Sequence, residues 1–426
     1  MQLETNRSSI YFKAGRVGVI SLFCTFFLLS FPRSWSLYPL GLFLFCGLLL
    51  WISDFRLICS KLLGLWFFIL PPVLYFLIHL LSVILQNAEL NILTNRLMFI
   101  LIPLLGFPVF IHDTFKKNSE YSLKIFIAGL FIVSVFLITR IIIISIIGAG
   151  QGSILDFVKN NNEDLFSLGF SILEHPTYMS LKVNFTILLL LLFKNKWQLK
   201  NIYFISSLIV LSVVIFLLAS KAGIIVFMII VISVMIRIAS TGAKKIITYL
   251  LLIPTFIFLS FSIVKNIDRI EWFIHYTELE LKSENGDLKK FDQRMREWYT
   301  AIQLIKEKPF TGFGLANIEK RMVEEYLRYG FEEEAKLKVN AHNQYLEAQV
   351  TFGIAGSISL LMMLLIPLIY RKQIRYPRLM TIFIVMVSFF LLFESMFNRQ
   401  WGIMFFLLFY CILCLGEKYV NIKAFK

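Results

Sequence analysis

Leu62-Leu-Gly-Leu-Trp-Phe-Phe-Ile-Leu-Pro-Pro-Val-Leu-Tyr-Phe-Leu-Ile-His-Leu-Leu-Ser-Val-Ile-Leu85 runs for 24 residues without a charged side chain. About 20 apolar residues in a helix cross the hydrocarbon core of a bilayer, so this stretch is long enough to span one. Pro71-Pro72 should kink it, which lipid-embedded helices tolerate when neighbours satisfy the freed carbonyls. Similar runs lie at 17–31, 37–52, 97–111, 123–147, 178–193, 202–219, 223–236 and 246–264, and at 354–370, 379–393 and 402–415. Pro103 and Pro254 fall inside two of them. The whole chain agrees: of 426 residues 58% are hydrophobic, 16% aromatic and 16% charged, with a mean hydropathy of +0.76. A soluble domain is about 45–50% apolar and about 25% charged, so a water-soluble globule is excluded, as are disorder, a disulfide scaffold and a solenoid. The expected fold is an all-α polytopic membrane protein of about 12 transmembrane helices.

The formal net charge of +15 is explained by topology. With a cytoplasmic N-terminus, the cytoplasmic connections carry Arg56/Lys61, Lys116/Lys117/Lys124, Lys194/Lys196/Lys200, Arg237/Lys244/Lys245 and Arg371/Lys372/Arg375/Arg378, and the tail adds Lys418, Lys423 and Lys426. The opposite short connections hold only Arg33, Arg96, Lys159, Lys221 and Arg399. Roughly twenty cations against about five predict both termini in the cytoplasm. No contiguous basic face with stacking aromatics is assembled, so no nucleic-acid partner is expected. Cys24, Cys46, Cys411 and Cys414 lie in apolar runs and Cys59 in a short connection, which is neither a disulfide nor a zinc pattern. The basic start and the 17–31 run resemble a signal peptide, but Ser-Phe-Pro-Arg33 is a poor cleavage site and further spans follow, so a retained first helix is expected.

Two outer segments break the pattern of short loops. Residues 148–176 are polar and Asn-rich, and residues 265–353 carry about fourteen basic and sixteen acidic side chains, too much charge for a mere connection. Three domains follow: 1–264 with about nine spans, the loop 265–353 with interfacial helices and the candidate catalytic residues, and 354–426 with about three spans and the basic tail. Within the loop, Arg294, Trp298, Ala301/Ile302 and Ile305 recur at helical spacing, so Arg294 shares the apolar face while Arg296, Glu297 and Lys306 point elsewhere. An Arg there either snorkels from an amphipathic helix or holds an anion at the membrane surface. Gly312-Phe-Gly314 reads as a turn, and Glu332-Glu333-Glu334 as a solvated face. His342, in Asn340-Ala-His-Asn343-Gln-Tyr345-Leu346, stands at the outer mouth of the next span; such a residue is either simply hydrogen-bonded or functional. Candidates on the same side are His175-Pro-Thr-Tyr178, the Ser220-Lys221-Ala-Gly223 turn, Lys182, and Glu394 with Asn398-Arg399-Gln400.

Together these residues resemble the O-antigen ligase/polymerase superfamily. The likeness is carried by Arg294-x-x-x-Trp298, Lys308-Pro309, Gly312-x-Gly314, Ala341-His342-Asn343-x-Tyr345-Leu346 and Gly353-x-x-Gly356. It extends to Ser220-Lys221-Ala-Gly223, to Glu394 and Arg399-Gln400-x-Gly402, and in the first half only to His175-Pro-x-x-Tyr178. The resemblance implies transfer of a glycan from undecaprenyl diphosphate to an acceptor hydroxyl on the periplasmic side of the bacterial inner membrane. The acceptor is lipid A-core in ligases, another repeat unit in polymerases, and protein Ser or Thr in related oligosaccharyltransferases. It further implies metal-independent chemistry without a cofactor, and the outer side offers no Asp-x-Asp or His/Cys cluster for a divalent ion.

That chemistry distributes the roles. A lipid diphosphate leaving group develops charge that fixed cations stabilise, and Arg294 and Lys221 match the family's basic positions. Lys221 stands where the family carries Arg, and offers a point charge in place of a planar fork. His342 matches the family's catalytic His and could accept the hydroxyl's proton or bind the diphosphate. His175, Tyr178, Lys182, Asn343, Tyr345, Glu394 and Arg399 are candidates for lining the site. Direct displacement would invert the anomeric carbon without a covalent intermediate. A transporter or lipid flippase is the rival from another class, since intramembrane Arg140 and Lys182 suit one; no internal repeat between halves supports it.

Overall fold

The computed structural model describes residues 2–150, 153, 161, 165–240 and 292–415. The expected run 246–264, the loop residues 265–291, part of the Asn-rich stretch and the basic tail from 416 lie outside them. In chain order the helices are α1 (Gln2–Leu28), α2 (Arg33–Ser53), α3 (Phe55–Leu85), the broken α4 (Met98–Ile111), α5 (Asp113–Ala149), α6 (Pro176–Phe193), α7 (Asn201–Leu218) and α8 (Lys221–Ser240). Then come α9 (Gln293–Glu307), α10 (Ile318–Arg328), α11 (Glu332–Leu337), α12 (Gln344–Ile369), α13 (Pro377–Leu391) and α14 (Gln400–Cys414).

Every expected apolar run inside the described residues falls on a helix. Among the described residues, seven helices (α1, α2, α3, α5, α6, α7 and α12) are long and apolar enough to cross a membrane. The shorter α13 and α14 have 15 residues each. At 1.5 Å per residue such a helix reaches about 22 Å, less than the hydrocarbon thickness of about 30 Å. In α4 a π-helical turn at Leu101–Leu105, with Pro103 inside it, breaks the ladder.

Large apolar side chains such as Phe45, Trp66, Phe136 and Ile209 are exposed on the outsides of α2, α3, α5 and α7. Water would penalise them and lipid does not, which fits a multi-pass membrane protein. α6 is the most enclosed of the seven, and Phe185 on it packs with Phe383, Phe405 and Phe409 of α13 and α14.

The bundle has two chemically distinct ends. At one, Arg375 donates to Lys116 O and Ser119 Oγ at 2.8 Å, Lys196 pairs with Glu120, and Trp197 Nε1 donates to the same carboxylate at 3.2 Å. Three of the Lys/Arg-rich connections therefore meet there. At the other end α9, α10 and α11 form an outer layer with its own small core, including Ala301, Leu304, Met322, Tyr326, Phe331 and Ala341.

Two sequence expectations are corrected in that layer. Glu334 is not solvated: it is buried, and its Oε1 receives Arg296 Nε at 2.6 Å and Nη2 at 2.5 Å. Glu297 does not point away from the packed face of α9, which consists of Glu297, Thr300, Ala301 and Leu304. A carboxylate three residues after Arg294 falls on the same face by helical geometry.

The glycine motifs join the layer to the bundle. α12 begins at Gln344, ten residues before the apolar run, and is kinked at Gly353 (φ 62°, ψ −149°). The kink frees Val350 O and Thr351 O, which accept Phe313 N–H at 2.9 Å and Gly314 N–H at 2.7 Å. A Cβ on Gly353 would stand 2.1 Å from Phe310 O, and one on Gly312 2.5 Å from Thr351 O, so this backbone crossing needs both glycines. Gln86, which caps the end of α3, completes it, donating to Phe313 O at 2.7 Å and accepting from Ala316 N–H at 2.8 Å.

Candidate functional site

Where α9, the entrance to α12 and the α13–α14 connection converge, charged groups from distant parts of the chain gather around His342. The backbone there is shaped by two Asn side chains. Asn340 Oδ1 accepts His342 N–H at 2.9 Å, and Asn343 Oδ1 caps α12 by accepting from Tyr345 N–H at 2.9 Å and Leu346 N–H at 3.2 Å. Between them His342 takes φ 42°, a left-handed conformation that costs energy in a residue with a Cβ. Strain held in place by its surroundings is a feature of working sites, and here it aims the imidazole at a carboxylate.

That carboxylate is Glu394. Its Oε1 lies 3.3 Å from His342 Nδ1 and its Oε2 3.7 Å from Arg294 Nη2. Arg294 also reaches His342 O at 3.4 Å, closing a triangle of imidazole, carboxylate and guanidinium. Burial would push the Glu394 carboxyl up, but contact with His342 and the charges of His342, His175 and Arg294 hold it below the usual range. On the ring's other side Glu297 Oε1 is 3.9 Å from Nε2. Glu297 is fully buried, and burial outweighs the pull of His342, Arg294 and Gln293, raising its pKa to about 7.

His175 caps α6, its Nδ1 accepting Thr177 N–H at 3.4 Å while its ring packs on Tyr178. Its pKa is lowered by burial, opposed by Glu394 and helped by the nearby positive charges of Arg294, His342 and Arg399, which places all of these groups in one electrostatic neighbourhood. Lys221 opens α8 at an exposed position. Asn184 of α6 donates to Gly223 O at 3.0 Å, and Gly223 packs so closely on Ser180 that a Cβ would lie 2.5 Å from it. α6 and α8 thus run side by side from the same end, and Lys221 is carried to the end that holds His175.

Other candidates have supporting roles. Lys182 is buried and directed to Glu174, with Nζ 2.9 and 2.7 Å from the two oxygens, and to Leu29 O at 2.8 Å. It anchors the residue before His175. Arg140, expected inside the membrane, is half-buried and donates to Gly169 O at 2.8 Å. Tyr345 OH donates to Ser388 O at 3.1 Å, fastening α12 to α13.

Glu347 carries more weight than its sequence suggests. Its oxygens accept Ala341 N–H at 3.2 Å and Asn398 Nδ2 at 2.9 Å, so one carboxylate ties the residue before His342 to the residue before Arg399. Arg96 stands behind Asn398, with Nη2 3.4 Å from Oδ1. Glu297 and Glu347 were each detectable only as acidic residues spaced three or four positions along a helix from a site residue.

The fold and this cluster define a class: an all-α, multi-pass membrane protein whose polar outer layer and helix ends assemble cations, carboxylates and imidazoles at one end of the bundle. Residues 206–361, which include Lys221, Arg294, Glu297, His342 and Glu347, match the family described as O-antigen ligase. Over this segment, somewhat more than a third of the chain, the protein is similar to the O-antigen ligase family, which supports reading it as a membrane enzyme of the glycosyltransferase type. A search of curated proteins finds no match.

Proposed function

We propose that this protein transfers a glycan from undecaprenyl diphosphate to a hydroxyl of lipid A-core at the periplasmic face of the bacterial inner membrane, by metal-independent inverting displacement. The observation that carries the reading is the triangle of His342, Glu394 and Arg294, at the end of the bundle opposite the Lys/Arg-rich connections. Those connections belong in the cytoplasm by the positive-inside rule, so the triangle faces the periplasm.

The geometry supports a division of labour. Arg294, with Lys221 approaching from α8, neutralises charge growing on the diphosphate as the anomeric C–O bond breaks. Glu394 orients the His342 ring through Nδ1, leaving Nε2 to accept the proton of the attacking hydroxyl. The hydroxyl oxygen bonds to the anomeric carbon from the opposite face, and the electron pair of the broken bond leaves with the diphosphate.

Deleting the protein and asking which acceptor loses its glycan tests the assignment. Core lipid without O-antigen, with polymer length and protein glycosylation unchanged, is the expected result. Persistence of fully substituted core lipid would overturn it.

A further inference from the structure

We infer that Glu297 is the proton-holding partner of His342, a positioning residue that acts through the imidazole and receives from it the proton given up by the acceptor. The inference rests on the reading of His342 above. Two carboxyls flank one ring, Glu394 at 3.3 Å from Nδ1 and Glu297 at 3.9 Å from Nε2, and their surroundings set them apart. Glu394 has Arg294 beside it and stays ionised. Glu297 Oε1 accepts Gln293 Nε2 at 3.1 Å; the Oε2 atoms of both carboxyls are buried without a hydrogen-bond partner, but that of Glu394 has the Arg294 guanidinium 3.7 Å away. A buried carboxylate oxygen left unpaired is costly when charged and much less so when it carries a proton.

The groups around Glu297 give it that latitude. Arg294 and Gln293 face it from α9 and His342 from the loop before α12; Glu334 of α11 and Tyr326 of α10 lie on the remaining sides. Arg296 is bonded to Glu334 and neutralises that second carboxylate. With its pKa raised to about 7 by burial, Glu297 can lose or hold a proton at working pH, whereas Glu394 cannot.

The step balances. As the acceptor oxygen bonds to the anomeric carbon, its proton goes to His342 Nε2, and the bond to the diphosphate breaks with its electron pair on the departing oxygen. The proton then passes from Nε2 to Glu297, regenerating neutral imidazole and leaving a neutral carboxylic acid, which later releases it to solvent. The 3.9 Å separation must close by about 1 Å for direct transfer, a tightening common when substrate binds.

Infrared titration of the full chain in lipid nanodiscs, without substrate, tests the titration independently of turnover. Wild type minus Glu297→Gln should show a protonated-carboxyl band that disappears with a midpoint near pH 7, and His342→Gln should move that midpoint upward because the imidazole's pull is lost. A difference spectrum with no such band overturns the inference. In membranes supplied with lipid-linked glycan and acceptor, wild-type transfer should rise with pH through about 7. Glu297→Gln should lower the rate at least tenfold and remove that rise, and Glu297→Asp should restore it. Wild-type rate and profile in Glu297→Gln, or a lower rate with the rise intact, overturns the inference. Undiminished transfer by His342→Ala would instead sink the underlying reading while leaving the infrared result to stand.

Discussion

Arg294 and Arg296 are two residues apart, and the structure gives them opposite jobs. Arg296→Ala removes the cation whose Nε and Nη2 both reach Glu334 Oε1, and leaves a carboxylate with 1% side-chain exposure uncompensated in the outer layer. Breaking a buried pair from one side costs about 3–5 kcal/mol. At 1.4 kcal/mol per decade, hydrogen exchange in α9 and α11 should accelerate by about two to three and a half decades. Replacing both partners, Arg296→Leu with Glu334→Leu, removes the stranded charge and should recover most of the protection. Arg294→Ala should behave differently. Its side chain is 36% exposed and Glu394 keeps His342, so stability should change by about 1 kcal/mol or less while transfer falls about 100- to 1,000-fold. The measurement is exchange mass spectrometry of each full-length variant in nanodiscs, paired with transfer assays. Wild-type protection in Arg296→Ala, or equal loss in the single and double variants, would refute the reasoning.

Three further outcomes are expected. If Arg294 and Lys221 neutralise the diphosphate, transfer by purified protein should survive EDTA, and Lys221→Arg should keep more activity than Lys221→Gln; inhibition by EDTA that magnesium or manganese reverses would contradict the metal-free mechanism. Glu347→Gln keeps one carbonyl oxygen for two donors, Ala341 N–H and Asn398 Nδ2, so stability should fall by about 1–3 kcal/mol and turnover should fall with it, as seen by thermal unfolding and transfer assays. Glu297, with a pKa near 7 when folded and 4.5 as its ordinary value, binds a proton in the folded chain that the unfolded chain has already lost between those limits. Stability should therefore decline as pH rises across that window, by about 3 kcal/mol in total, and Glu297→Gln should flatten the decline.

The hydrophobic runs were legible because lipid imposes a length and an absence of charge that no soluble helix shares. The start of α12 was not, since Gln344, Glu347 and Gln349 read as loop. In the fold Gln344 bonds Phe397 N–H and Tyr75 OH, Glu347 receives Ala341 and Asn398, and Gln349 donates to Pro309 O. Polar residues satisfied by neighbours can continue a helix beyond its apolar stretch.

Arg294 and His342 could be singled out by residue type and position, but their meeting with Glu394 depends on tertiary contacts across 48 and 52 residues of sequence, counted from His342. Glu297 and Glu334 were misplaced for one shared reason. Helical patterning assigns carboxylates to solvent, and only the partners, His342 for one and Arg296 for the other, explain their burial. Gly312 and Gly314 read as a turn, and in the fold they meet Gly353 in one close backbone crossing.

His342, set by Glu394 and Arg294, is proposed to perform transfer from a lipid diphosphate. The most direct test incubates purified wild-type protein and His342→Ala in nanodiscs with undecaprenyl-diphosphate-linked glycan and core lipid, and weighs the acceptor by mass spectrometry. Wild type should yield an acceptor heavier by the glycan, and a His342→Ala protein that unfolds at the wild-type temperature should do so at a rate about 100- to 1,000-fold lower. Wild-type conversion by the folded His342→Ala variant would contradict this role.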